Sequence, residues 1–316
     1  MRERFLIGFA VAALAVGLVG IFSHYHAPGS TYTLALSAFA TYLGIGAVLA
    51  AVLFALLRTR LGWAGCAVAI GVVVWTVALQ VPAYVAQTLP TQGTDVVVMT
   101  SNLKVGAADP HAVVAAARSH HVDVLMLEEL TPGIRRALRG AGLDEFLPHS
   151  VADPHDGGAG TGLWSRYPLT DASVRRDLGF SFVTARTKLP GGETTLAAIH
   201  VFGPYPQAQF PRWNSDMHAY PGVLSALPGQ TVLIGGDFNA TGDDVQFRTV
   251  LGDRYLDAAV QAGAGYTPTW PANRWYPPLI TIDHVLTQGA VARSADTVEI
   301  AGSDHRALIV SVRIPG

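Results

Sequence analysis

The chain has 316 residues, more than the roughly 100 to 200 that one domain usually holds. With 50% hydrophobic and 14% charged residues, and a mean hydropathy of +0.33, it is too apolar for an ordinary soluble protein, in which about a quarter of residues are charged. Disorder and coiled coil are excluded, the single Cys66 excludes an intramolecular disulfide, and no Cys/His cluster has zinc spacing, so a metal would be held by carboxylates, amides and histidines.

Three runs without Lys, Arg, Asp or Glu open the chain, at residues 5–23, 31–57 and 61–87. Each suits the ~20 residues that cross a bilayer as a helix. Three in succession with short loops predict a membrane anchor of three transmembrane helices over residues 1–87, rather than buried core helices. Arg2 and Arg4 precede the first run as in a signal peptide, but no small-residue cleavage site follows. Basic residues are retained on the cytoplasmic side, and Arg2, Arg4, Arg58 and Arg60 alternate with a 24–30 loop that has none. The expected order is inside, outside, inside, outside: a multi-pass cell-membrane protein with a cytoplasmic N-terminus and an extracytoplasmic C-terminal domain. Trp63 and Tyr84, near the ends of the third run, suit the interface.

A Pro/Gln/Thr/Gly-rich linker at 88–94 then leads to a domain at 95–316. Four of the 21 Lys and Arg and one of the 23 Asp and Glu precede that domain, which leaves 17 against 22 and a formal charge of -5. Phosphate-backbone binding relies on Lys and Arg, so the acidic balance makes nucleic acid a less favoured partner than the lipid bilayer.

Strand patterns are expected at 95–100, 122–127, 162–165, 180–187, 194–201, 231–235, 279–286, 297–301 and 307–313. Helices are expected at 109–120, after Thr131-Pro132, and at 211–227, 244–250 and 255–261. Many strands with intervening helices indicate layered α/β architecture. No internal repeat and no GxxxxGK[ST] loop is present.

Polar and ionisable residues recur at the ends of these strands, where an α/β scaffold can present side chains to one cleft. They are Asn102, Glu129, His200, Asp237 and Asn239 in Gly-Gly-Asp-Phe-Asn, Asp283 in Thr-Ile-Asp-His, and Asp304-His305. Singly, each has a bland reading: Asn102 as a strand terminator, Glu129 as a helix cap, Asp237 and Asn239 as an Asx turn, His200 as a packed histidine, Asp304-His305 as a turn.

In combination, Ser101-Asn102, Asp-Val-Leu-Met-Leu-Glu-Glu129, Gly162-Leu-Trp-Ser-Arg166, Ile199-His200, Gly236-Asp-Phe-Asn239, Ile282-Asp283 and Ser303-Asp304-His305 resemble the endonuclease/exonuclease/phosphatase superfamily. That superfamily includes DNase I-like nucleases, neutral sphingomyelinases and inositol-polyphosphate phosphatases. The resemblance implies a four-layer, DNase I-like α/β sandwich after the three transmembrane helices, and hydrolysis of a phosphoester with a divalent metal, Mg²⁺ or Mn²⁺. Oxygen ligands suit such a hard ion, which offsets charge developing on phosphoryl oxygens.

Carried over residue by residue, the resemblance makes Glu129 the principal metal ligand, with Asn102 and Asp304 close to the ion. Asp237 would orient or deprotonate the attacking water, and Asn239 would hold the phosphate or that water. His305 would pair with Asp283, and His200 would be a second phosphate-side donor. Two departures stand out: the familiar Leu-Gln-Glu is here Leu127-Glu128-Glu129, and Arg306 follows Ser-Asp-His. The Arg306 guanidinium could bind a phosphate oxygen of the substrate, a surface arginine being the alternative. Glu128 is expected to face the core edge or solvent, and His284 to face away from Asp283.

Spans plus this outer domain resemble actinobacterial membrane proteins of the VanJ type, which implies a lipid-linked substrate such as undecaprenyl pyrophosphate. Aromatic loops at 202–213 and 266–278 could dip into headgroups or simply pack. Alternatives are a sphingomyelinase-like phospholipid phosphodiesterase, an extracellular endonuclease, and a binding protein without turnover.

Overall fold

The computed structural model describes residues 2–88 and 92–315; residues 89–91 of the expected linker lie outside the described residues. The chain divides into two compact units, Met1–Val81 with Thr241–Arg248, and Pro82–Ala240 with Thr249–Gly316.

In the first unit, helices α1 (Arg2–Tyr25) and α4 (Arg60–Gln80) are long and apolar enough to cross a membrane. The expected middle span is instead a bent pair, α2 (Thr31–Ala38) and α3 (Ala40–Leu56), turned by 66°. At the break the buried Ser37 hydroxyl donates to the Leu34 carbonyl, a local bond that competes with the helical ladder. Small residues, Ala10, Ala47, Ala50 and Ala69, are fully buried where the helices meet, while Phe9, Leu18, Ile45, Val52 and Val74 face outward. Close backbone approach through small residues with an apolar exterior is the packing that lipid favours.

The Thr241–Arg248 segment is bound into this unit by polar contacts. Asp243 meets His24 Nδ1 at 2.8 Å and accepts from the Thr41 hydroxyl at 3.2 Å. The fully buried Asp244 accepts from the Ser37 hydroxyl and from the Thr241 N–H, and Arg248 donates to the His24 carbonyl. Burial pushes the Asp244 carboxyl up to about 6.

The second unit runs β1 (Thr94–Asn102), α5 (Pro110–Ser119), β2 (Val124–Glu128), α6 (Pro132–Gly140), α7 (Leu143–Phe146), β3 (His149–Asp153), β4 (Thr161–Ser165), β5 (Leu169–Arg175), β6 (Phe182–Leu189) and β7 (Gly192–His200). It continues with α8 (Phe210–Ser225), β8 (Thr231–Asp237), then α9 (Val245–Leu251), which begins in the first unit's segment, β9 (Leu256–Asp257), α10 (Ala258–Gln261), β10 (Asp283–Gln288), β11 (Val291–Glu299) and β12 (Arg306–Ile314). Two six-stranded sheets form, ordered β11-β12-β1-β2-β4-β3 and β5-β6-β7-β8-β10-β9. Within each, one central pair is parallel, β1 with β2 and β7 with β8.

Period-two alternation assigns each strand residue a layer. Val96, Val98, Val124, Met126 and Leu163 of one sheet meet Val183, Leu196, Ala198, Leu233 and Val285 of the other. Their neighbours Met99, Leu125, Leu127 and Trp164 face outward and pack on Val113 and Ala117 of α5 and Ile134 and Leu138 of α6. On the far side, Tyr220 of α8 covers Phe182 of β6, with ring centroids 6.2 Å apart. Helices, sheet, sheet and helices make the expected four-layer sandwich.

Two glycines let β8 reach the site. A Cβ on Gly235 would lie 2.5 Å from the Met126 sulfur across the sandwich, and one on Gly236, at φ +155°, would lie 1.8 Å from the Ile199 carbonyl oxygen. Only glycine fits the second position, which explains Gly-Gly before Asp237.

Candidate active site

The registers gather the strand-end residues. His200, Asp237 and Asp283 stand side by side at the ends of β7, β8 and β10. In the facing sheet Asn102 ends β1 directly beside Glu128 of β2, and Glu129 follows. The Asn102 amide nitrogen joins the two sheets, donating to Asp237 Oδ2 at 3.0 Å and Glu129 Oε1 at 3.2 Å. Its oxygen accepts from the Lys104 N–H at 2.8 Å, so in this arrangement Asn102 spaces the carboxylates.

Glu129 Oε2 accepts from the Val105 N–H at 2.5 Å. Burial pushes its carboxyl up, against the lowering bonds from Asn102 and Val105, and the charge of Asp304 adds to the rise. Asp304 is half-buried beside the cluster, its carbonyl accepting from the Ala272 N–H at 2.7 Å.

Asp237 is 1% exposed. Its Oδ1 accepts from the Asn239 N–H at 2.8 Å, while Oδ2 lies 3.3 Å from Asn239 Nδ2, 3.6 Å from His200 Nε2 and 3.9 Å from His305 Nε2. Burial, then the charge of Asp283, pushes Asp237 up to about 7. His305 Nδ1 sits 2.8 Å from Asp283 Oδ2. Burial disfavours the imidazolium, but the Asp283 and Asp237 carboxylates outweigh it and push His305 up to about 10. The Ser303 hydroxyl fixes this loop, accepting from the His305 N–H at 3.0 Å and donating to the Asn102 carbonyl at 2.7 Å.

His200 Nδ1 donates to the Gly158 carbonyl at 3.0 Å, and burial pulls its pKa down to about 4. With the proton on Nδ1, the neutral ring presents a lone pair at Nε2 towards Asp237. The expected donor role would therefore require protonation at Nε2 when an anionic group arrives.

Glu128 faces the core edge, fully buried, and accepts from the Thr100 hydroxyl at 2.8 Å. Burial and the charge of Asp283 hold its carboxyl well above the usual range. His284 faces away from Asp283, as expected: its two ring nitrogens meet Asp257 Oδ2 at 2.5 Å and the Ala240 carbonyl at 2.9 Å, both acceptors. Arg306 is a correction, because strand alternation turns it from the cluster and its guanidinium donates to the Thr297 carbonyl at 2.9 Å on the neighbouring strand. The sequence reading did not single out Gly158, Thr100 or Asp257; for Gly158 the Gly157-Gly158 pair was an available signal.

Backbone strain collects here. Glu129 (φ +55°), Asn239 (φ +48°), Lys104 (φ +49°) and Val105 (φ +52°) are all left-handed. A β-branched residue there costs about 1–2 kcal/mol, and such strain concentrates at functional sites. Val105→Asn, which tolerates that region and keeps the N–H on Glu129, is expected to raise Tm by a few degrees, about 1 kcal/mol, with activity retained. A lower Tm in thermal unfolding would contradict the strain.

The donor set fits a divalent cation. Ligand atoms of Asp237, Asp283 and His305 lie within 4.8 Å of one another, and buried Asp283 Oδ1 and Glu128 Oε2 have no hydrogen-bond partner. His305 Nδ1 is engaged with Asp283 and its ring is held protonated, so the carboxylates Glu129, Asp237 and Asp304 are the groups that would hold an ion. Bound there, the ion would supply charge neutralisation at phosphoryl oxygens.

The sequence model of the Endonuclease/Exonuclease/phosphatase family matches residues 99–305. Among curated proteins nothing matches. Among solved structures, an endonuclease/exonuclease/phosphatase from Beutenbergia cavernae is 19% identical, with a TM-score of 0.55 over 70% of this chain and 72% of that one. TDP2 of D. rerio, complexed with a single strand DNA product, is 16% identical, with a TM-score of 0.58 over 69% and 99%. A Bacteroides vulgatus family protein is 16% identical, with a TM-score of 0.54 over 70% and 99%. These similarities establish the fold, and the family match covers more than half of the chain and every strand-end residue described above. The chain therefore belongs to the endonuclease/exonuclease/phosphatase family, whose members are typically metal-dependent phosphoesterases or nucleases.

Proposed function

We propose that this protein is a membrane-anchored phosphoesterase that uses a divalent metal to hydrolyse a phosphoester or pyrophosphate of a lipid-linked substrate, such as undecaprenyl pyrophosphate, at the outer face of the cell membrane. The observation that carries the chemistry is the convergence of His200, Asp237, Asp283 and His305 with Glu129 and Asn102 in one buried, strained cluster. Asp237, close to its own titration point near neutrality, suits the orientation and deprotonation of a water, and Asn239 is fixed beside it. His305, held protonated by Asp283, suits charge stabilisation at a phosphoryl oxygen or proton delivery to the leaving group. Mg²⁺ or Mn²⁺ suits the oxygen donors.

The apolar helices, the VanJ-type arrangement and the exposed aromatic rings Tyr205 (77%) and Trp275 (95%) support a lipid-linked substrate. The alternation of basic residues supports the outer face. A nuclease is the second reading, favoured by the likeness to a TDP2 crystallised with a DNA product and disfavoured by the acidic balance of the domain.

The test is phosphate release by the purified full-length protein in detergent with Mg²⁺, from undecaprenyl pyrophosphate, from a phospholipid and from nicked plasmid DNA after phosphatase treatment, with Asp237→Ala as the blank. Release from the pyrophosphate alone is expected. Cleavage of DNA or phospholipid instead would replace the substrate, and metal-independent turnover would overturn the mechanism.

A further inference from the structure

On the His200 side of the cluster a second array is built that the catalytic roles do not use. The Phe180 ring lies against His200, with centroids 4.6 Å apart, and Phe202 lies 5.0 Å from Phe180. Over these rings sits a guanidinium: Arg212 Cζ is 4.2 Å from the Phe202 centroid and 5.8 Å from that of Phe180. A ladder of flat groups thus leads outward from a site histidine to an exposed cation.

The cation is held in place from two directions. Trp213, fully buried, donates Nε1 to the Asn239 carbonyl at 3.1 Å, which ties the turn of α8 carrying Arg212 to the catalytic loop. Arg212 Nη2 donates to the Gly179 carbonyl at 2.6 Å, which fixes the plane of the guanidinium. Its charge is not spent, because no carboxylate among the described residues forms an ion pair with it. The carboxyl one helical turn away, Asp216, is buried and pushed up by that burial. Phe202 is next to Gly203, whose Cβ position is 3.7 Å from Asn239 Oδ1, so the rings border the reacting centre.

A planar guanidinium stacked on an aromatic face is ordered before a ligand arrives and matches the oxygens of a phosphate two at a time. The cluster is rich in carboxylates and accommodates one phosphoryl group. A substrate with a single phosphate would have no second anion for Arg212, whereas a pyrophosphate carries one on the next atom. We propose that Phe180, Phe202 and Arg212 form a binding subsite for the second phosphate of a pyrophosphate substrate, Arg212 forking onto its oxygens and the rings excluding water. This rests on the phosphoesterase reading for the cleavage step and adds to it the class of substrate, a diphosphate rather than a simple diester.

The experiment compares wild type, Arg212→Gln, Arg212→Lys and Phe202→Leu, all full-length in detergent, on farnesyl pyrophosphate and on bis(p-nitrophenyl) phosphate. It adds binding of inorganic pyrophosphate and of inorganic phosphate by calorimetry with Mg²⁺. For Arg212→Gln the expected result is a KM for farnesyl pyrophosphate raised about tenfold or more, with the diester unchanged, and pyrophosphate binding weakened by a similar factor while phosphate binding holds. Arg212→Lys should recover part of the loss, and Phe202→Leu should show a smaller loss in the same direction. Equal losses on both substrates, or none, would overturn the subsite. If the wild type leaves farnesyl pyrophosphate intact, the functional reading fails by itself. The subsite is then decided by calorimetry: selective weakening of pyrophosphate binding in Arg212→Gln upholds it, and unchanged binding ends it.

Discussion

Asp237→Asn is expected to lower turnover about a thousandfold and, in the same protein, to raise the melting temperature. The loss of rate follows from position. Asp237 is the carboxylate at the meeting point of Asn102, Asn239, His200 and His305, and a positioned base contributes roughly 10² to 10⁴ in rate. The gain in stability follows from burial. Its carboxyl is pushed from an ordinary 3.8 to about 7 in the folded protein by desolvation and by Asp283, so ionising it costs the native state free energy. The sign is fixed by linkage: the folded-state pKa lies above the unfolded one, so the stability present below about pH 4 is lost progressively as pH rises to about 7. The neutral amide escapes that loss. The gain should therefore be absent near pH 4 and complete above pH 7, measured by thermal unfolding in EDTA so that no ion offsets the charge. A variant that loses activity and stability together at pH 8 would show that Asp237 is structural.

Glu129→Gln should behave in the opposite way. Glu129 is the most accessible carboxylate of the cluster, its side chain 20% exposed against 2% for Asp237, and the one best placed to accept an ion from solvent. Removing its charge is expected to raise the Mg²⁺ concentration for half-maximal activity by about 100-fold or more. It should also destabilise the fold. The two carboxylate oxygens accept from Asn102 and from Val105, and an amide has one oxygen for two donors, so about 1–2 kcal/mol is lost. Activity titrated against Mg²⁺ reads the first effect and a thermal melt the second. An unchanged metal response would remove Glu129 from the ligands.

The contrast between legible and illegible parts of this chain is physical. Buried central strands announce themselves: Val-Leu-Met-Leu in β2 and Thr-Val-Leu-Ile in β8 are apolar on both faces because both faces are covered. The edge strands do not. His149–Asp153 and Leu169–Arg175 are polar, partly exposed and, in β5, interrupted by an irregularity at Thr170/Ser173, so no alternation marks them. The expected strand at 279–286 begins only at Asp283, because Ile280 is held by a single bridge to Trp270. In the site, residues embedded in Gly-Asp-Phe-Asn, Ile-Asp and Ser-Asp-His were readable since each motif carries its own turn chemistry. Thr100, Gly158 and Arg212 were not. Their contribution depends on a partner more than twenty residues away, Glu128 for Thr100, His200 for Gly158 and Phe180 for Arg212, and no local pattern encodes that. Arg306 misled because adjacency to His305 in sequence is opposition in a strand.

The stretch Thr241–Arg248 follows Asn239 almost at once, yet its polar contacts lie with the N-terminal helices. Modularity therefore stops short of the apparent boundary after the third helix. Exchanging residues 1–81 for a foreign anchor would leave Asp243 without His24 and Thr41, Asp244 without the Ser37 hydroxyl, and Arg248 without its carbonyl. Hybrids joined at the linker alone would inherit a mismatched loop. A transplantable enzyme would need both pieces of chain moved as one heirloom, the helices together with their eight residues from the far side of the catalytic motif.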